Sequence, residues 1–248
     1  MVEKPSIAKR AKRAVRKVTR GIRQAVVDHS PGWVRRSLGP VATYADMLFV
    51  DHGIFRILYL NKHKISPGVY RSAQPTPQQI ARLARRGVKT IVNLRGPRMC
   101  GSYYLEKEAC AKAGIRLVDF TVYSRGAPTP RDVHAAKSLF DEIEYPVLMH
   151  CKSGADRAGL MSALYKHLRE GKPIAEAKDQ LALRFGHMRQ ADTGVLDEFF
   201  ERYLADNAVR PMPFLQWVDT VYDPDELKRS FRAKGWANRV VNSILVRE

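Results

Sequence analysis

Ten consecutive residues, His150-Cys151-Lys152-Ser153-Gly154-Ala155-Asp156-Arg157-Ala158-Gly159, concentrate the chemistry of this 248-residue chain. A cysteine and an arginine stand there with five residues between them, after an apolar run (146–151) and before an apolar helical pattern. A loop between a strand and a helix can turn successive backbone N–H groups inward into an anion-binding concavity. The helix that follows adds the positive end of its dipole. Gly154 permits a backbone conformation that a Cβ would hinder, and Arg157 can grip two oxygens of one phosphate group. Donors that hold phosphate also stabilise a thiolate, the nucleophilic form of cysteine. The expected chemistry is attack of Cys151 on phosphorus to give a thiophosphate that water hydrolyses. Lys152, Ser153, Gly154 and Ala155 are the expected substrate cradle.

The elements that would position this loop follow from the surrounding pattern. From about residue 66, short β-branched runs alternate with helical periods. Residues 68–74, 88–95, 115–122 and 146–151 read as strands, and 146–151, apolar throughout, as a buried central one. Thr76-Pro77 and Thr129-Pro130 are cap-plus-N1 pairs that start helices. Gly87 and Gly114 stop the helices that precede them. After 157 the pattern is helical to about 205, with 173–186 read as one helix. Strand–helix alternation implies an α/β fold with a mainly parallel central sheet flanked by helices.

The segment HCKSGADRAG resembles the HCxxGxxR signature of the cysteine-dependent tyrosine and dual-specificity phosphatase superfamily. The upstream stretch VYRSAQPTPQQIARLARRGVKTIVNLR is similar to the opening of the compact atypical dual-specificity phosphatases. The resemblance covers about residues 66–205. It implies a parallel-rich sheet flanked by helices, a catalytic Cys151 with Arg157, and no metal or organic cofactor. It also implies a general acid, because an alkoxide or phenolate leaves poorly and protonation typically contributes about 10² to 10⁴ in rate. Asp119 lies 32 residues before Cys151, the family's usual spacing, yet falls inside an apolar run. Asp156, within the signature loop, resembles the loop aspartate of myotubularin-like lipid phosphatases and is its rival. Arg125, in the YSRGAP loop, is a candidate for a substrate or second-phosphate contact; Arg71, in YRSAQP, is expected to brace the fold. One departure concerns turnover. The family usually has Ser or Thr after the arginine, to help the thiolate leave, and Ala158 stands there.

Charge narrows the partners. Lys and Arg number 43 against 25 Asp and Glu, a formal net charge of +18, which favours anionic partners. Half of it lies in residues 1–40, with eleven basic residues against Glu3 and Asp28. There Ala11, Val15, Val18, Ile22 and Val26 share a helical face, the pattern of a basic amphipathic extension suited to an anionic membrane surface. Residues 41–65 read as an apolar helix and connector, 66–205 as the catalytic domain, and 206–248 as a C-terminal helical extension. The location expected is cytoplasmic, with peripheral membrane attachment through the basic end. Three cysteines without paired spacing exclude a disulfide framework and a structural zinc site. A nucleic-acid partner is not expected, because no reading motif with interleaved aromatics is present. The expected substrates are phosphorylated proteins, phosphotyrosine above all. The alternatives are phospholipids or inositol phosphates, and a catalytically weak phosphate-binding module.

Overall fold

A computed structural model describes residues 60–232, together with Thr43, Tyr44 and Met47. The basic segment 1–40 and most of 41–59 lie outside the described residues. Five strands form one sheet: β1 (His63–Ser66), β2 (Val69–Ala73), β3 (Thr90–Asn93), β4 (Arg116–Asp119) and β5 (Val147–Cys151). Their order is β1-β2-β5-β3-β4. β1 runs antiparallel to β2, and every other pairing is parallel. The expected α/β architecture is present as a mixed, mainly parallel sheet. β1 replaces part of the expected 41–65 connector: its only sheet neighbour among the described residues is β2, and its four residues HKIS lack the alternation that marks a strand in sequence.

The helices of the first half are α1 (Pro77–Arg85), α2 (Gly101–Ala113) and α3 (Pro130–Glu142). Thr76 and Thr129 both form full capping boxes, with Gln79 and Asp132 as the reciprocal partners. Gly114 ends α2 in the left-handed conformation at φ +66. α4 (Asp156–Leu168) follows β5 directly across the signature loop. The two faces of the sheet carry separate cores. Leu148 and Ile91 pack with Ile80, Leu83 and Cys110 beneath α1 and α2. Val147, Met149, Cys151 and Val92 pack on the other face with residues of α3 and α4. Period-2 alternation along β5 therefore sends Cys151 and His150 to opposite faces.

The expected helix 173–186 is broken. It consists of a short α5 (Ile174–Ala177) and two 3₁₀ turns, Lys178–Leu181 and Leu183–Phe185, joined by extended Ala182. The Gln180 carbonyl accepts from Arg71, 109 residues away, instead of from a following helical amide. A tertiary contact overrides local propensity here.

α6 (Val195–Val209) crosses the boundary drawn at 205, and α7 (Phe214–Thr220) and a helix over 224–232 follow it. Phe199, Phe200, Tyr203, Phe214, Trp217 and Tyr222 form a connected aromatic cluster within the larger core. Trp217 is fully buried, its indole N–H donating to Asp206 Oδ2 at 2.8 Å. Trp217→Ala is expected to cost about 3–5 kcal/mol in a denaturation experiment, with Trp217→Phe costing much less. No helix among the described residues is long and apolar enough to cross a membrane.

Candidate active site

Parallel strands deliver their C-terminal ends to one edge of the sheet, and the signature loop leaves from that edge. Cys151 is the last residue of β5 and is 1% exposed. A side chain on β2 and one in the connector hold the loop from outside. The Asn61 side-chain amide donates to the Ser153 carbonyl at 2.9 Å. Arg71, wholly buried, donates from one guanidinium nitrogen to the carbonyls of Gly154 and Ala155, at 2.8 Å each. Its other terminal nitrogen donates to the Gln180 carbonyl at 2.5 Å and to Gln180 Oε1 at 3.1 Å. In a planar trans peptide the N–H points away from the C=O. Three tethered carbonyls therefore aim the amides of Gly154, Ala155 and Asp156 away from the tethers, the disposition an anion nest requires.

Gly154 makes this path available. Its φ is +78, and a Cβ built on it would lie 2.6 Å from Ala73 N and 2.6 Å from Ser72 C. Arg157 stands in the first turn of α4, and its Nε is buried with no hydrogen-bond partner among the described residues. An oxyanion is the ordinary partner for such a donor. Arg71 is charged despite its burial. Desolvation brings it down to about 10, while Cys151 and Asp156 act in the opposite sense, so its cation faces both groups. Its guanidinium also lies 4.3 Å from the centre of the Phe185 ring.

Behind the loop a polar chain crosses to α2. His150 Nε2 lies 2.6 Å from Glu106 Oε1, both side chains fully buried, and Glu106 Oε2 accepts from Gln74 Nε2 at 2.6 Å. Gln74 Oε1 accepts in turn from Arg95. The same Glu106 marks Cys110 as an unreactive thiol: burial, and then this carboxylate, push it up to about 12.

The two candidate acids occupy different settings. Asp119 lies in the expected strand but is its final residue, exposed, because β4 ends there and not at residue 122. The register aligns it with Asn93, and Asn93 with His150, placing it two strands from β5, roughly 10 Å across the sheet edge. Its carboxylate accepts from Asn93 Nδ2 at 2.8 Å and from the Tyr103 hydroxyl at 2.6 Å. That second bond is the main cause of the rise of Tyr103 to about 12. Asp156, the first residue of α4, accepts from His187 Nδ1 at 2.8 Å. His187 is 2% exposed, and its Nε2 lies 2.6 Å from Asp197 Oδ2.

Lys152, Ser153, Gly154, Ala155, Asp156 and Arg157 are thus brought together with Cys151. Arg125 is not: it is exposed, and the carboxylate it meets is that of Asp192, at 3.9 Å. Asn61, Gln180, His187 and Asp197 were missed by sequence reasoning. The one local signal was Asn61, a residue that tolerates the positive φ it adopts (+48).

The sequence profile of a family described as "DSP-PTPase phosphatase fused to NAD+ Kinase" matches residues 60–199. Among curated proteins, the chain is 32% identical over 115 residues to the dual specificity protein phosphatase TpbA of Pseudomonas aeruginosa, a match covering 45% of this chain and 49% of that protein. It is 25% identical over 149 residues to the inositol diphosphatase DSP3 of Arabidopsis thaliana, covering 56% of this chain and 70% of that protein. The matched region spans about half the length of the TpbA sequence. The crystal structure of P. aeruginosa TpbA is similar with a TM-score of 0.49 at 24% identity, covering 69% of this chain and 90% of that one.

Proposed function

Since the chain belongs to this DSP-PTPase phosphatase family, we propose that it hydrolyses phosphomonoesters with Cys151 as nucleophile. The observation that carries the reading is the set of carbonyls at 153, 154 and 155 tethered by Asn61 and Arg71, together with an Arg157 Nε that has no hydrogen-bond partner among the described residues. In the first step the Cys151 thiolate attacks phosphorus, the P–S bond forms and the ester P–O bond breaks. The departing oxygen takes a proton from an aspartic acid. Loop amides and the Arg157 guanidinium hold the equatorial oxygens throughout. In the second step water attacks the thiophosphate, the aspartate takes its proton, and the thiolate leaves with the P–S electron pair. Phosphate is released. Ala158 offers no hydroxyl for that departure, so breakdown of the intermediate is the slow step of this scheme.

We assign the acid to Asp119. Both carboxylates accept hydrogen bonds, but Asp119 is exposed and ends β4 at the open edge of the sheet, whereas Asp156 meets a buried histidine that is shared with a second carboxylate. Asp119→Asn is expected to lose about 10² to 10⁴ in kcat/KM on an alkyl phosphate and much less on an aryl phosphate, whose leaving group needs no proton. Asp156→Asn is expected to affect both substrates alike. The reverse pattern would move the acid to Asp156. Absence of wild-type hydrolysis of any aryl phosphate would leave the phosphate-binding module as the reading.

Phosphotyrosyl protein is the substrate class proposed first; the TpbA relative, named a dual specificity protein phosphatase, supports a protein substrate. A second reading, an inositol phosphate or phospholipid substrate, draws support from the inositol diphosphatase relative and from the net charge of +18. Attachment to an anionic membrane through residues 1–40 belongs to that reading. Relative kcat/KM on phosphotyrosyl peptides, inositol phosphates and phospholipid vesicles decides between them.

A further inference from the structure

A carboxylate within an anion-binding loop presents an electrostatic difficulty. Asp156 lies between the signature loop and α4, and a phosphate dianion arriving beside it would be repelled. His187 meets this charge from a distant part of the chain. It follows Gly186, which closes the turn Leu183–Phe185 at φ +79. Both of its ring nitrogens face carboxylate oxygens, Asp156 Oδ1 at 2.8 Å and Asp197 Oδ2 at 2.6 Å. A neutral imidazole has a single N–H and would set a lone pair against one of these oxygens. Only the doubly protonated ring donates to both.

We infer that His187 is a positioning residue of the proposed phosphatase: its imidazolium holds Asp156 against Asp197 and supplies the counter-charge that admits a phosphate dianion to the loop. This rests on the phosphatase reading above. Burial alone would lower the basicity of the ring, but the hydrogen bonds to Asp156 and Asp197 outweigh it and push His187 up to about 9. The surrounding charges do not take over this role. Lys178 pairs with Glu201 at 2.5 Å, Arg189 lies 3.5 Å from the same Glu201, and Arg184 meets Asp179. Arg71 faces Asp156 from β2 but is shared with Cys151. The ring is protonated at neutral pH, so the counter-charge is present there and is lost as pH rises through about 9.

The test is binding of inorganic phosphate to the full chain, measured by calorimetry, with folding checked by circular dichroism. His187→Gln is expected to weaken phosphate binding about tenfold at pH 7, the order of one screened charge at this range. Adding Asp156→Asn is expected to restore most of that loss, because the carboxylate needing compensation is gone; a residue that merely stabilised the fold would give no such rescue. Wild-type affinity is expected to fall as pH rises through about 9, and His187→Gln to lack that step. Equal affinity in wild type and His187→Gln, or a double variant no better than the single, overturns the inference. If His187→Gln does not fold, Asp197→Asn decides. It should move the step to lower pH, and an unmoved step overturns the inference. A wild type that binds no phosphate sinks the phosphatase reading itself.

Discussion

Cys151→Ser is expected to abolish phosphomonoester hydrolysis, with a loss of at least about 10³-fold in kcat, while leaving fold and phosphate binding in place. The asymmetry follows from where the residue sits. Cys151 ends β5 and is buried. The donors proposed to hold the anion are backbone amides and Arg157, none of which the substitution removes. A serine hydroxyl at the same place is un-ionised at neutral pH, and the described residues put no general base on it to take its proton. Rapid-quench labelling with a ³²P-phosphoester should trap a phosphoenzyme in the wild type and none in the variant. Serine activity within tenfold of the wild type would mean that Cys151 does not attack phosphorus. Loss of phosphate binding together with activity would instead mean that the substitution damages the loop.

The second large effect is expected at Gly154, through geometry and not through chemistry. An alanine there would hold φ near +78, in the left-handed region that L side chains avoid, and its Cβ would press on the backbone of Ser72 and Ala73 at 2.6 Å. Backbone cannot swing aside as a flexible side-chain end can. Gly154→Ala is expected to lower stability by about 3 kcal/mol, combining the conformational cost with the overpacking cost. It should also weaken phosphate binding, since relief of the clash must move the peptides tethered by Arg71. Urea denaturation and calorimetry read the two effects separately. A variant as stable as the wild type that binds phosphate normally would show that the loop tolerates a second path.

Much of this is legible in the sequence alone. The capping boxes at Thr76 and Thr129, the β-branched run around Ile91-Val92 and the apolar 146–151 each carry a local signal, and each matches its element. Cys151, Gly154 and Arg157 were legible because strand, loop and helix are contiguous in the chain. The tethers were not. Asn61 reaches Ser153 across 92 residues, Arg71 reaches Gly154 across 83, and His187 reaches Asp156 across 31. Such contacts leave no period in the sequence. The same cause hid the break after α5, where Gln180 serves Arg71 instead of its own helix. The expected strand runs on to residue 122 because the run 120–122 continues past the last ladder pair, Asn93 with Asp119.

The tethering of the signature loop by Asn61 and Arg71 also bears on how a ligand is received. A flexible loop would have to lose conformational freedom at the moment of capture, and that entropy would be subtracted from affinity. Here the loss is incurred once, when the domain folds and Arg71 is buried between β2 and the turn at Gln180. On the proposed reading the phosphate cradle then works as a preformed mould. Capture by a mould should be fast and change the protein's shape little, and discrimination among phosphoesters would fall to the residues around its mouth.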